Sequence, residues 1–550
     1  EWLVDTMLRV PVEHTLDAPY LADRYDAAAI DARLRSMTPQ NARIWYISPD
    51  EPHNKVAYFV DAPYQVDKIS ADLFNKWQQD AAEIKLALPQ LNPYIPDDFS
   101  LIPAAEKPVT HPQPLLNEPG LRVFYMPSRY YASEPKANIM LALRNKAAME
   151  SARNQVLFAL NDYLVGVALD ELSSQASVGG ISFSTTGNDG VTLSASGFTQ
   201  RLPKLLITLL QGYVSYVPTE DQLAQAKSWY KEQLDAAEKG KAFEQAIQPV
   251  QLLSQLPYTE RSERRKLLDT ISLKELNDYR RMLVEQATPE LLAVGNLTPQ
   301  AVTSLAQQVK QQLNCQGKSW WHNEYVTIKQ PLRANIQKAG SSSDSALAAI
   351  YVPLGYSEEQ GIANSTLLSQ IIQPWFYNQL RTQQQLGYAV FTFQMPVGRQ
   401  WGIGFLLQSN SKQPALLLQR YEAFYPEAEK RLRAMSQQDF AQYQTALINE
   451  LQQRPQTLDE EAGRYEKDFY RENYAFDTRE KVIAQIKKLT PQSLADFFHR
   501  ATIAQQGLAM LSQISGNQHG KADYAAPQGW KTWPDVSSLQ QSLPVTSEKK

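Results

Sequence analysis

Between a helical pattern and an alternating strand pattern, this 550-residue chain reads Leu380-Arg381-Thr382-Gln383-Gln384-Gln385-Leu386-Gly387-Tyr388-Ala389-Val390-Phe391. A weaker copy lies 208 residues earlier, from Leu172-Ser173 to Val178-Gly179-Gly180-Ile181-Ser182-Phe183. The opening leucine, the glycine and the closing phenylalanine keep the spacing of 208, but the earlier copy has Ser173 and Gly180 in place of the arginine and the tyrosine. Such a pattern is typical of a duplicated scaffold in which one copy carries a functional site.

The resemblance between the two copies continues well beyond this stretch. Further matches follow at the offset of 208 and, after a ten-residue insertion, at 218: Leu209 with Leu417, Leu210 with Leu418, Tyr213 with Tyr421, Pro218 with Pro426, Asp221 with Asp439, Ser272 with Thr490 and Leu276 with Leu494. A collinear series of this length predicts that two copies of one fold follow each other along the chain.

Each copy has the same order of predicted elements. Periodicity predicts a strand, a long amphipathic helix, two alternating strands, several helices and a late strand. The predicted ranges are 139–143, 148–176, 180–198 and 291–294 in the first copy, and 347–351, 362–384 and 388–408 in the second. Strands and helices mixed around one sheet predict tandem homologous α+β domains of about 200 residues each.

The domain organisation follows from the repeat. Residues 1–75 are predicted to be the remnant of another domain, with a strand at 42–47, and their start at Glu1, without an initiator Met, suggests a processed or excised boundary. A linker is predicted at 76–100, within a proline-rich connector that continues to Pro114, because proline fixes φ and removes a backbone donor. The two repeats are then predicted at 101–315 and 316–545.

Composition narrows the class of protein. Hydrophobic residues make up 43% and charged residues 20%, as in ordinary globular proteins, and no apolar run approaches the roughly 20 residues that span a bilayer. The net charge of −4 argues against nucleic acid as the main partner. The single cysteine, Cys315, excludes an internal disulfide and is compatible with a reducing or an oxidising compartment.

Most candidate catalytic groups are weak. The six histidines are not spaced for a helical metal site, and Glu13-His14 matches only the end of an H-x-x-E-H motif whose first position holds Val10, so His14 is expected in a solvated loop. Cys315 has no histidine near it in sequence and is expected to be a spectator thiol. The acidic residues of Asp459-Glu460-Glu461 and of Glu466 to Asp477 are expected on a solvated helical face, since they alternate with basic residues.

Arg381 and Tyr388 are the exception. They are seven residues apart across a predicted helix-to-strand turn, where Gly387 would allow a left-handed residue to end the helix. A tyrosine hydroxyl can donate to a developing oxyanion, and a guanidinium can hold a carbonyl or carboxylate. An equally open interpretation is a surface arginine beside a tyrosine that is buried in the sheet.

The segment from Arg381 to Tyr388 closely resembles the R-T-x-x-Q-L-G-Y signature of the pitrilysin/insulysin family of inverted-zincin (H-x-x-E-H) zinc metalloendopeptidases. The neighbouring sequences agree with it: Phe376-Tyr377-Asn378-Gln379 before it, Phe469-Tyr470 and Asn473-Tyr474 after it, and Trp77 with Asn92-Pro93-Tyr94-Ile95-Pro96 near the connector. The resemblance covers essentially the whole chain.

The resemblance implies a clamshell of four α+β domains, of which this chain would be the C-terminal half. Zinc would be bound by the N-terminal half and no metal by this chain, which alone would be inactive. Tyr388 would stabilise the tetrahedral oxyanion and Arg381 would hold the peptide, so both are implied catalytic and substrate-binding residues. The implied partners are the N-terminal half and short or insulin-like peptides, with neither nucleic acid nor membrane, and the implied location is the periplasm. The alternative is a non-catalytic structural member of the same superfamily, like the core subunits of respiratory complexes.

Overall fold

The structure is a computed structural model that describes residues 2–18, 25–85, 87–88, 90–103, 109–187, 190–313, 322–517 and 521–547. The chain divides into two compact units, Glu1–Leu91 and Asn92–Lys550. Cys315 lies outside the described residues.

The first unit has little core of its own, because Thr6 alone is buried among its described residues. The strand predicted at 42–47 is wrong: these residues form no strand, and Trp45 and Tyr46 are 80% and 81% exposed. A strand needs a pairing partner and a face to bury, which no described segment of this unit gives to 42–47. The elements of the unit are α1 (Trp2–Met7), α2 (Ala27–Ser36), the short antiparallel strands β1 (Lys55–Val56) and β2 (Pro63–Tyr64), and α3 (Ala71–Glu83), which crosses the predicted boundary at residue 75.

The second unit contains both repeats. The first repeat consists of β3 (Gln113–Glu118), β4 (Leu121–Met126), β5 (Lys136–Arg144), α4 (Ala152–Ala168), α5 (Asp170–Val178), β6 (Ile181–Gly187), β7 (Gly190–Phe198), α6 (Leu202–Ser215), α7 (Glu220–Ala236), α8 (Ala242–Leu252), α9 (Arg261–Leu268), α10 (Leu273–Glu285), β8 (Thr288–Gly295) and α11 (Pro299–Leu313).

The second repeat has the same order of elements with a longer C-terminal end. It consists of β9 (Glu324–Val326), β10 (Leu332–Ala339), β11 (Ser345–Pro353), α12 (Glu358–Tyr377), a π-helical turn (Asn378–Gln383), β12 (Ala389–Val397), β13 (Gln400–Ser409), α13 (Pro414–Ala434), α14 (Gln437–Gln452), α15 (Leu458–Tyr470), α16 (Thr478–Ile486), α17 (Pro491–Phe498), a second π-helical turn (His499–Ile503), β14 (Gly507–Ser515), β15 (Lys531–Trp533), α18 (Val536–Gln541) and β16 (Val545–Ser547).

Five of the six strands have the same order and relative direction in the two sheets. Their strand orders are β3-β4-β8-β5-β7-β6 and β15-β10-β14-β11-β13-β12. In each sheet the second and third strands are parallel and every later pair is antiparallel. The outermost strands differ, since β3 runs antiparallel to its neighbour and β15 parallel to its own. The predicted tandem α+β fold is confirmed.

Strand register corrects two details of the sequence alignment. Pairing places Ala195 opposite Ile139 and Leu407 opposite Leu347, so the offset has grown to 212 when α6 and α13 begin. The predicted matches of Leu209 with Leu417 and of Pro218 with Pro426 are therefore one helical turn out of register. A shift of four residues returns to the same helical face, which is why apolar periodicity does not reveal it.

Each sheet packs its own helices on one face and a helix of the other repeat on the opposite face. Helix α8 of the first repeat places Ala246 and Val250 against the second sheet, near Ile350. The equivalent helix of the second repeat, α15, places Ala462 and Phe469 against the first sheet. This reciprocal exchange brings the N-terminus of α8 to the edge of the second sheet, where the sequence predicted a site.

Candidate functional site

The turn between α12 and β12 forms the backbone of the candidate site. Helix α12 is followed directly by the π-helical turn that contains Arg381. The left-handed residue of this turn is Gln385, with φ 51°, so the predicted left-handed role of Gly387 is wrong. Glycine is needed at 387 for a different reason: a Cβ there would overlap the backbone carbonyl of Gln408 on the neighbouring strand. Gly387 therefore lets the chain approach β13 closely just before Tyr388.

Arg381 is oriented by the segment that carries Tyr388. Its guanidinium donates a hydrogen bond to the backbone carbonyl of Tyr388 and lies 5.4 Å from the centre of the Tyr377 ring. One hydrogen bond and one ring contact use only part of the five N–H donors of a guanidinium. The structure thus brings the Arg381 guanidinium to the backbone of Tyr388.

Tyr388 is not buried in the sheet, because its side chain is 51% exposed. Its phenol oxygen accepts a hydrogen bond from the Nε2 of Gln408. Burial raises the pKa of the phenol above its ordinary value, and the Asp344 charge, a hydrogen bond to Asp344 and the Glu244 charge raise it further. The hydroxyl therefore stays protonated at neutral pH and can act as a hydrogen-bond donor.

Sequence reasoning missed Gln408 and Asp344. Gln408 is only 2% exposed, and its Nε2 donates to Asp344 Oδ2 at 2.7 Å. Its Oε1 accepts the backbone N–H of Phe243, in the first turn of α8, at 3.0 Å. The one sequence signal was a glutamine at the end of the apolar run Gly404-Phe405-Leu406-Leu407, where a buried amide needs partners.

The other candidates do not form a site among the described residues. His14 lies in a short 3-10 turn, with its Nδ1 3.3 Å from Asp17 Oδ1. In the described part of the chain no three His, Cys, Asp or Glu side chains lie close enough together to hold a metal ion. These residues therefore do not fit a zinc site.

The predicted solvated face of α15 is wrong for part of the helix. Glu461 is fully buried, and it accepts hydrogen bonds from Ser128 Oγ at 2.6 Å and from the Arg129 N–H at 2.8 Å. Asp468 is also buried. Glu461 faces the first repeat because α15 covers its sheet, whereas Asp468 accepts the N–H of Thr478 within the second repeat. Contacts between sequence-distant elements such as that of Glu461 are not visible in charge patterning.

Comparison with known proteins adds a family to this geometry. The profile described as the middle or third domain of peptidase M16 matches residues 1–266, and one described as PQQ synthase PqqF-like, C-terminal lobe domain 4, matches residues 367–466. Protease 3 of Escherichia coli (strain K12) is 62% identical over 549 residues, which cover 100% of this chain and 57% of that protein. This chain is similar to peptidases of the M16 type. The predicted family resemblance is confirmed.

Further relatives and solved structures match the chain over most of its length. The insulin-degrading enzyme-like 1, peroxisomal, of Arabidopsis thaliana is 24% identical over 94% of this chain and 55% of its own length. A crystal structure of pitrilysin superposes with a TM-score of 0.88 at 62% identity, covering 100% of this chain and 58% of that one. An M16 inactive domain from Pseudomonas fluorescens, at 14% identity and a TM-score of 0.57 over 75% of this chain and 100% of that one, shares the fold. The chain spans a little over half the length of the curated relatives it matches.

No helix in its described residues has the length and apolarity of a membrane span.

Proposed function

We propose that this chain is the C-terminal half of a pitrilysin-type zinc metalloendopeptidase that degrades short or insulin-like peptides in a closed chamber. The zinc would be held by the N-terminal half, and this half would supply a chamber wall together with Arg381 and Tyr388. Support comes from the 62% identity to Protease 3 and from the pitrilysin superposition. We also propose the periplasm as its location, by likeness to Protease 3 alone.

The observation that carries the proposal is that Arg381 and Tyr388 both present hydrogen-bond donors beside the start of β12. The Tyr388 hydroxyl is half-exposed and its raised pKa keeps it protonated, so it can donate to an oxygen that gains negative charge as a peptide carbonyl is attacked. Arg381 is held by the Tyr388 carbonyl and keeps further N–H donors, which can bind a second oxygen of the same peptide. Neither donor needs to change protonation state during the reaction.

The surface of the first unit supports a covering partner. Large apolar side chains are exposed there, among them Leu8 at 83%, Val12 at 74%, Leu16 at 70% and Trp45 at 80%. Contiguous exposed apolar patches mark surfaces that another protein segment covers. We propose that this segment belongs to the N-terminal half.

The runner-up is a non-catalytic structural member of the superfamily. A scaffold has no use for an exposed phenol and guanidinium at the start of β12. The presence of both Arg381 and Tyr388 therefore favours the peptidase.

Joining the halves tests the proposal. The chain would be produced alone and fused behind the part of the Escherichia coli Protease 3 that it does not match, with Protease 3 itself as the matched control. We expect chelator-sensitive cleavage of a fluorogenic peptide by the fusion and by Protease 3, and none by the chain alone. Chelator-sensitive cleavage by the chain alone would overturn the division of roles, and a folded but inactive fusion would favour the scaffold.

A further inference from the structure

The Gln408 carboxamide lies between two parts of the molecule that are distant in sequence. Its oxygen accepts the N–H of Phe243 from the first repeat, and its nitrogen donates both to Asp344 and to the Tyr388 phenol. An amide group has one carbonyl oxygen and two N–H hydrogens, so this set uses the whole group. A flipped amide would set its oxygen against the Asp344 carboxylate and its nitrogen against the Phe243 N–H. The contacts therefore allow one orientation only.

This orientation decides what the Tyr388 oxygen can do. Because Gln408 donates to that oxygen, it fixes the position of the hydroxyl without using its hydrogen. The hydrogen can then turn from Asp344, which accepts it in the resting protein, to an incoming substrate oxygen. Tyr388 is otherwise half-exposed, and an exposed aromatic side chain has rotamer freedom that it must lose in order to act as a positioned donor.

The first repeat supplies an internal comparison for this contact. Pairing places Ser196 opposite Asn138 in the first sheet and Gln408 opposite Ala346 in the second, so the two residues occupy equivalent positions. The Ser196 hydroxyl also reaches the cross-docking helix, where it donates to Asp459 of α15. A serine can contact the docked helix but is too short to reach a side chain on the edge strand as well. The longer glutamine contacts both the docked helix and the Tyr388 phenol.

We propose that Gln408 is a positioning residue for Tyr388, which transmits the docking of helix α8 to the phenol at the candidate site. The inference deepens the proposed function and rests on it. It assigns to the contact between the two repeats a role in turnover as well as in stability. Gln408 touches no substrate in this account and acts only through Tyr388.

A double-mutant cycle tests the inference in the full-length enzyme. Gln408→Met keeps the length of the side chain and removes its N–H donors, and it would be combined with Tyr388→Phe. We expect Gln408→Met to lower kcat about 10-fold or more at nearly constant KM, since a displaced donor is lost mainly in the transition state. In the Tyr388→Phe background, the same substitution should change kcat less than twofold.

Gln400 offers a matched control on the same strand. Its side chain also bridges a backbone, through the N–H and the carbonyl of Ile328 at 2.6 and 3.0 Å, and it has no contact with Tyr388. Gln400→Met should lower the melting temperature with kcat unchanged. Gln408→Ala would be measured beside Gln408→Met, so that a single poorly folded variant does not decide the outcome.

The outcomes separate the two proposals. If Tyr388→Phe retains normal turnover, the proposed function fails, whatever Gln408 does. If Tyr388→Phe is impaired but Gln408→Met is not, the positioning role is overturned. It is also overturned if Gln408→Met is equally harmful in both backgrounds, because a purely structural role gives additive losses.

Discussion

The two repeats share the order and relative direction of five strands but differ at the edge where the long helix turns into its strand. In the second repeat this edge carries Arg381 and Tyr388, with the buried Gln408 behind them. In the first repeat, Ser173 replaces the arginine, and the place of the tyrosine falls to Gly180 by sequence spacing or to Ile181 by strand register. None of these side chains offers a phenol or a guanidinium. The same fold therefore carries a candidate site in one repeat and none at the equivalent edge of the other, and a few side chains make the difference.

The faces that the repeats exchange differ in a second way. In the first sheet Glu290 is fully buried and contacts two arginines, with Arg122 Nη1 at 2.9 Å and Arg144 Nε at 3.3 Å. Strand pairing puts Ala334, Val352 and Met510 at the equivalent places in the second sheet. Equivalent positions beneath the docked helix are therefore filled by a buried ion-pair cluster in the first sheet and by apolar side chains in the second.

The largest effect on stability is expected from removing the carboxylate of the buried ion-pair cluster while leaving its two arginines in place. Glu290→Met copies the second sheet at one position and leaves both arginines buried without their shared carboxylate. It should lower the free energy of unfolding by about 3–5 kcal/mol. Urea denaturation of this chain measures it.

Replacing all three charged residues by their apolar counterparts from the second sheet sharpens this test. Adding Arg122→Ala and Arg144→Val to Glu290→Met removes all three charges and should restore most of the lost stability, because apolar replacements of buried ion groups are often neutral or stabilising. A triple variant no more stable than Glu290→Met would show that the two faces are not interchangeable.

The next effect concerns the glycines of the two turns. Gly387→Ala places a Cβ against the carbonyl of Gln408, a backbone atom that cannot move alone, and should cost about 3 kcal/mol. Gly180→Ala in the first repeat meets the ring of Phe198 at 2.7 Å and a φ of 71°, and should cost about 1–2 kcal/mol. Thermal melting of both variants checks the order. Equal losses would mean that the close approach at Gly387 is not the constraint described here.

The smallest effect on stability is expected at the helix caps. Ser151 and Ser357 cap the equivalent helices α4 and α12, with the Ser151 Oγ accepting from the Asn154 N–H at 3.1 Å and the Ser357 Oγ from the Gln360 N–H at 3.3 Å. Replacing either serine by alanine should cost about 1 kcal/mol. Similar losses would indicate that the N-cap contributes equally to the stability of both repeats, whereas a loss confined to one repeat would contradict that view.

The pKa of Tyr388 gives a further test at the edge of the second repeat, where the first repeat has no phenol. Because the Asp344 charge raises the pKa of Tyr388, Asp344→Asn should lower that pKa toward its ordinary value. The protonated form should then be lost at a lower pH than in the parent chain. Burial and Glu244 still raise the pKa in the variant, so the return should be incomplete. NMR titration of the chain with labelled tyrosine, assigned through Tyr388→Phe, measures the shift, and an unchanged or higher pKa would contradict the described contact.

The sequence predicted what depends on local pattern and spacing. The strands of the two repeats and the proximity of Arg381 to the Tyr388 backbone follow from periodicity and from one short turn. The single helix predicted at 148–176 is wrong, because the structure has two helices there, α4 and α5. The sequence could not show the contacts of α8 and α15 with the opposite sheets, so Glu461 looked solvated and Gln408 looked like the end of a strand. The one-turn shift between α6 and α13 was hidden because residues four apart share a helical face.

The most direct test of the central claim is kcat of the full-length enzyme with Tyr388→Phe, which removes one hydroxyl and leaves the ring in place. The account predicts a loss of about 10²–10³ in kcat, with KM and the melting temperature little changed, because one oxyanion donor is removed. Near-normal turnover of the folded variant would contradict it.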